Sequence, residues 1–188
     1  TCALPIWLMT DKVHAHGALA GAELWFSGSR SANIATRLVS MDVASRPNGV
    51  GHPFQSRAMD KQDIRNLRRW HRNAALRAKA AEFDIVYVYA THGYLLAHFL
   101  DPETNTRSDE YGGSLENRTR LVRELIAETK DAVGDRCAVA VRFSADAEVG
   151  EDGQPIRRDD GKILKGPNYT PPAIAQLLKL LEAFRAFS

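Results

Sequence analysis

The chain has 188 residues, of which 44% are apolar and 26% charged, and its formal net charge is +2. That is enough chain for one domain with a real core, and too little net charge to draw in a nucleic acid or an anionic membrane. No apolar run is long enough to span a membrane, no signal-peptide pattern is present, and the two cysteines, Cys2 and Cys137, are too distant in sequence to suggest a disulfide framework or a metal site. A reduced cytoplasmic setting is the expectation.

The elements follow in chain order. Cys2 to Ile6 ("CALPI") looks like translated adaptor DNA, so residues 1–7 are expected to be artefactual or disordered. Trp7 to His16 reads as the tail of a helix ending at Gly17. Ala18 to Phe26 is an apolar run without clean polar alternation, as in strands covered on both faces, and Phe83 to Ala90 and Cys137 to Ser144 repeat that pattern. Between them, Asp60 to Ala80 carries Ile64, Leu67, Ala74, Ala75 and Ala78 at helical spacing, with Asp60 as N-cap. Ser114 to Val133 does the same with Leu115, Val122, Leu125, Ile126 and Val133, capped by Ser114 with Glu116 in the first turn. Thr170-Pro171 marks another helix start, and Leu181 to Ser188 ends inside an apolar helical pattern, as a gene fragment would.

Strands alternating with helices predict a parallel α/β sheet with right-handed crossovers. The segments after the strands, Ser27–Met59, Thr91–Gly113 and Ala145–Tyr169, are long, and all lie past strand C-termini. Decoration confined to one face favours a closed barrel over an open doubly wound sheet.

The chemistry-bearing residues cluster at those strand ends. Tyr87 and Tyr89 share a strand face, and His92 follows at the start of the loop, so phenol and imidazole can converge on one ligand atom and move a proton. The plainer reading packs Tyr89 in the core and leaves His92 to loop carbonyls. Tyr94 reads as a pocket wall, and Trp25 as core or pocket wall. Arg142, near the end of an apolar strand, needs an acceptor. Spacing alone slightly favours an ion pair with Glu23 or Asp146 over an anionic ligand. His14 and His16 sit at a helix C-terminus. His52, His71 and His98 have no metal-site spacing, and Gly150 to Lys162 fails the spacing of a calcium loop. Arg65, Arg68, Arg69, Arg72, Arg77 and Lys79 read as the solvated face of one helix. No glycine-rich phosphate loop is present, and Gly112-Gly113 is a turn entering a helix.

Three segments, "HGALAGAELWFSG" (His16–Gly28), "FDIVYVYATH" (Phe83–His92) and above all "FLDPETNTRSDEYGGSLENR" (Phe99–Arg118), resemble the Old Yellow Enzyme, or NADH:flavin oxidoreductase, superfamily. From about Leu8 to Leu180 the chain is similar to the middle of that superfamily's FMN-binding (βα)8 TIM barrel. Tyr89 and His92, where ene-reductases usually carry His followed by Asn or His, resemble the trimethylamine, dimethylamine and histamine dehydrogenase branch.

The resemblance implies that Tyr89, His92 and Tyr94 are catalytic. It implies that Glu23, Arg142 and Trp25 face FMN, with Arg142 stabilising the reduced, anionic flavin. It implies one partial domain over residues 1–188, with three of eight strands and an open edge, so that the fragment alone is expected to bind flavin poorly, to aggregate and to be inactive. The first strands, the aspartate completing the Tyr/His triad, the phosphate-binding loops and the 4Fe-4S ligands would lie outside the chain. The expected substrate is a small amine that gives a hydride to flavin. The electron acceptor is left open, a homo-oligomeric full-length protein is allowed, and neither nucleic acid nor membrane is expected as a partner. Two rivals stand beside this: an NAD(P)H-dependent ene-reductase, and a non-catalytic βα scaffold using the Arg-rich helix.

Overall fold

The computed structural model describes residues 4–31, 38–47, 54–143 and 159. The chain divides into two compact units, Thr1–Arg142 and Phe143–Ser188, and nearly all described residues belong to the first. Helix α1 (Leu4–Ala15) starts before Trp7 and is followed by Gly17 at φ +71°, a conformation that glycine adopts without cost. Its buried Thr10 hydroxyl donates to the Ala81 carbonyl at 2.7 Å. The His14 ring lies 2.8 Å from Asp84, which also accepts the Ala20 N–H at 2.7 Å. These contacts tie α1 to the start of the sheet.

Strand β1 (Gly21–Leu24) leads into a 3-10 turn (Gly28–Arg30) and then into β2 (Met41–Asp42), β3 (Arg46–Pro47) and β4 (Gln55–Ala58). Helix α2 (Lys61–Ala80) follows, then β5 (Ile85–Ala90), α3 (Leu95–Leu100), α4 (Leu115–Val133) and β6 (Ala138–Phe143). The main sheet has the order β1-β5-β6, with β1 parallel to β5 and Glu23 beside Tyr87. Alternation sends Ala22, Leu24, Val86 and Val139 to one face. There they pack with Ala75, Ala78, Ala132 and Val133 of α2 and α4. Small helix residues let both helices lie close to the strands. Burying a valine as fully as Val86 contributes about 2 kcal/mol. The same alternation turns Gly21, Glu23, Tyr87, Tyr89 and Arg142 to the opposite face.

Both long helices begin where their caps require. The Asp60 carboxylate accepts the Asp63 N–H at 2.7 Å while Asp63 accepts the Asp60 N–H at 2.9 Å, a reciprocal capping box. The Ser114 hydroxyl accepts the Asn117 N–H at 3.2 Å. Two segments read as plain loops carry structure. Ser27–Met59 contains a second sheet of order β2-β4-β3, and Thr91–Gly113 contains α3. Strands as short as Met41–Asp42 and Arg46–Pro47 have no room for a period, so no pattern marks them.

The Arg-rich face of α2 is only partly solvated, since Arg68 pairs with Glu124 at 3.2 Å and with Glu128 on α4. Cys137 is free and buried, and its thiol donates to the Phe83 carbonyl at 3.0 Å. Among the described residues no helix is long and apolar enough to cross a membrane, and no group of His, Cys, Asp or Glu could hold a metal. Cys2, His52, Ser144, Asp146, the Gly150–Lys162 stretch apart from Asp159, and the helix expected from Thr170 lie outside the described residues.

Candidate active site

The inner face of the main sheet brings four chemically different groups into one line. The Arg142 Nη1 donates to Glu23 Oε1 at 2.7 Å, and the Arg142 guanidinium carbon stands 5.4 Å from the centroid of the Tyr89 ring. The Tyr89 hydroxyl is hydrogen-bonded to His92 Nδ1. Carboxylate, guanidinium, phenol and imidazole thus adjoin in that order. Tyr89 is 8% exposed whereas His92 lies at the surface, so the pair spans from sheet to solvent. His92 has φ +56° and Gly93 φ +65°. Two successive left-handed residues reverse the chain just past β5 and fold the imidazole back onto the phenol. For a histidine that conformation costs about 1–2 kcal/mol, and such strain concentrates where chemistry fixes a geometry.

The Glu23–Arg142 pair is half exposed, at 39% and 50% of the two side chains. A pair so solvated adds at most about 1 kcal/mol to stability. The ion-pair reading of Arg142 is therefore present in the fold, with Glu23 as the acceptor, but it is a weak structural reason for either residue. Together they offer an acceptor and a donor side by side. The pyrimidine edge of a flavin, with one N–H donor flanked by carbonyl and ring-nitrogen acceptors, asks for that set. The residues present therefore fit the group.

An aromatic wall adjoins the line. Trp25 and Tyr94 have ring centroids 4.8 Å apart at 45°, and Tyr94 lies 5.9 Å from Tyr89. Trp25 falls past the end of β1 and is 55% exposed, so it forms wall and not core. Tyr94 occupies the N-cap position of α3 without capping it, which leaves its side chain to the wall.

Three residues of this neighbourhood were not singled out as site residues in the sequence. Arg30 stands 5.2 Å from the Tyr94 ring centroid and donates to the His92 carbonyl. Asp42, fully buried, accepts the Ser29 N–H and the Val43 N–H, each at 2.7 Å, and meets His98 Nδ1 at 2.9 Å. Burial would raise the Asp42 carboxyl, but the hydrogen bonds from His98 and Ser29 and the His98 charge outweigh it and hold it below the ordinary carboxylate range. This carboxylate fixes the turn carrying Arg30. Gly28, at φ +62°, packs so closely that a Cβ there would lie 3.0 Å from Asp42 Oδ2 and 3.3 Å from the Leu95 Cα. No local pattern announces a contact between Asp42 and His98, which are 56 residues apart.

The run Phe99–Arg118 supplies none of these groups. It braces them. The Asn105 amide donates to the Phe99 and Tyr111 carbonyls at 2.7 and 2.8 Å, and Arg118 Nε donates to the Leu100 carbonyl at 3.0 Å. Arg107 binds Asp109 at 2.6 Å and the Met59 carbonyl at 2.5 Å. A Cβ on Gly112 would sit 2.1 Å from the Arg107 carbonyl oxygen.

A model of the NADH:flavin oxidoreductase / NADH oxidase family matches residues 6–162. The chain belongs to this family. It is 35% identical to dimethylamine dehydrogenase of Hyphomicrobium sp. (strain x) over 164 residues, which cover 84% of this chain and 22% of that protein. It is 40% identical to NADPH dehydrogenase of Halalkalibacterium halodurans over 150 residues, 78% of this chain and 41% of that protein. Among solved structures, histamine dehydrogenase from Rhizobium sp. 4-9 superposes with a TM-score of 0.73 at 47% identity, covering 78% of this chain and 22% of that one. The chain thus spans about a fifth to two fifths of the length of these members of the NADH:flavin oxidoreductase family. Its β1-β5-β6 sheet and flanking helices form part of a (βα)8 barrel, as the one-sided placement of the long segments suggests.

Proposed function

We propose that this chain is the middle part of an FMN-binding barrel, and that the full-length protein is a flavin-dependent oxidoreductase oxidising a small amine. The observation carrying the reading is the Tyr89 hydroxyl bonded to His92 Nδ1 beneath the Arg142 guanidinium. Similarity to dimethylamine and histamine dehydrogenases supports the amine as substrate.

Bound FMN would supply a two-electron acceptor for a hydride leaving the carbon next to the amine nitrogen. Glu23 would accept from the pyrimidine N–H, and Arg142 would present positive charge at the same edge, where electron density accumulates on reduction. As His92 accepts the Tyr89 hydroxyl proton, to be released from its exposed ring to water, the phenol oxygen would take a proton from the substrate ammonium. Loss of that proton frees the nitrogen lone pair that drives hydride departure. Trp25 and Tyr94 would hold the alkyl groups against the wall and exclude water. A 4Fe-4S cluster would supply an onward outlet for electrons, and no group of His, Cys, Asp or Glu among the described residues could hold it. The free, buried Cys137 suits a reducing, cytoplasmic setting.

A second reading is favoured by the 40% identity to an NADPH dehydrogenase: NAD(P)H reduces the flavin, which then reduces an activated alkene. Anaerobic spectra of the full-length protein separate the two. Bleaching of the flavin band by dimethylamine or histamine, and loss of that bleaching in Tyr89→Phe, supports amine oxidation. Bleaching by NADPH alone selects the second reading. A protein that carries no flavin, and whose spectrum Arg142→Ala does not alter, would leave only a non-catalytic scaffold.

A further inference from the structure

We propose that Arg30 is a specificity residue that selects an amine substrate carrying a carboxylate. The inference rests on the amine-oxidation reading and goes beyond it in naming the substrate class.

Arg30 is exposed, and among the described residues its one hydrogen-bond acceptor is the carbonyl of His92. A guanidinium has five N–H donors in a planar fork matched to a carboxylate, so most of its capacity is unspent. Among the described residues no carboxylate pairs with it. By contrast, Arg57 meets Asp63 at 2.5 Å, Arg68 meets Glu124 at 3.2 Å, Arg107 meets Asp109 at 2.6 Å and Arg142 meets Glu23 at 2.7 Å. Its position is set from below by Gly28 and by the buried Asp42, which holds the neighbouring Ser29 N–H at 2.7 Å. The contact with His92 ties it directly to the Tyr89–His92 pair.

Its charge also changes what the aromatic wall can bind. With a cation 5.2 Å from the Tyr94 centroid, a substrate ammonium placed on that ring would meet a like charge. A zwitterion removes the conflict. Its carboxylate lies in the Arg30 fork while its ammonium stands at the Tyr89 hydroxyl.

The test uses the full-length flavoprotein as wild type, Arg30→Gln and Arg30→Lys. N-methylglycine and 4-(methylamino)butanoate are each compared with their methyl esters by kcat/KM, so that any disturbance of His92 cancels in the acid-to-ester ratio. The wild type should prefer at least one acid by about tenfold, the size of one lost charge-assisted hydrogen bond. Arg30→Gln should bring that ratio near unity, mostly through KM, and Arg30→Lys should fall between. In parallel, butanoate binding to the oxidised protein is measured by calorimetry and should weaken about tenfold in Arg30→Gln. Equal butanoate affinity in wild type and Arg30→Gln, no butanoate binding to either, or an unchanged acid-to-ester ratio overturns the proposal. If butanoate binding depends on Arg30 but no amine, acid or ester, bleaches the flavin, the anion site stands and the amine reading fails.

Discussion

The tail of β5, Tyr89 to Tyr94, and the run Phe99 to Arg118 lie next to each other in sequence and are built on opposite principles. In the first, a buried phenol meets an exposed imidazole, with strained backbone at His92. In the second, polar side chains are spent on backbone carbonyls: Asn105 on Phe99 and Tyr111, Arg118 on Leu100, Arg107 on Met59. The longest family-like run in the sequence is therefore a brace for its own backbone, and the phenol and imidazole suited to chemistry lie in the shorter segment before it.

Variants that strike the two regions should fail differently. The largest effect belongs to Gly112→Ala. A Cβ 2.1 Å from the Arg107 carbonyl has no room, and the brace should lose about 3 kcal/mol or more, read as a fall in the unfolding midpoint with loss of bound flavin. Tyr89→Phe keeps the ring contacts with Tyr94 and Arg142 and removes only the hydroxyl. Turnover should drop about a hundredfold, roughly 2.7 kcal/mol, while the denaturant midpoint stays put. A matching fall in stability would mean that the phenol is structural.

Asn105→Ala leaves two carbonyls without their amide donor in a site only 5% exposed. About 2.5 kcal/mol of stability should go, and kcat should change little in the protein that stays folded. The smallest effect concerns the shell behind the sheet. His71 lines a cavity of about 330 Å³ with Leu67, Trp70 and Leu125, and its Nε2 has no hydrogen-bond partner among the described residues. Burial pushes its pKa down to about 4. The unfolded chain takes up that proton near the ordinary 6.5, so the folded state binds fewer protons between the two values. Stability should fall by about 2 kcal/mol as pH drops from 7.5 to 5, and His71→Leu should flatten that slope in urea titrations. A slope unchanged in the leucine variant would assign it to other groups.

Much of the frame can be read directly from the chain. Asp60 and Ser114 cap the helices they were expected to cap, because an N-cap is a contact between neighbours three residues apart. The three apolar runs supply strands of one sheet, Gly21–Leu24, Ile85–Ala90 and Ala138–Phe143. The second sheet, α3 and the Asp42–His98 support were not legible. Each depends on elements too short for a period or on partners too far apart for a local pattern. Arg30 escaped notice for a related reason: an arginine in a polar loop has no distinguishing feature until a carbonyl and a ring are found beside it.

Sequence by itself determined the alternation of strand and helix, the helix starts, and which chemical groups stand at strand ends. These follow from propensity, capping and periodicity, all of which act over a few residues. Only the tertiary structure decided which groups meet. Glu23 reaches Arg142 across 119 residues because β5 lies between β1 and β6, with Glu23 level with Tyr87. Strand order and register set such meetings, and no short stretch of chain encodes either.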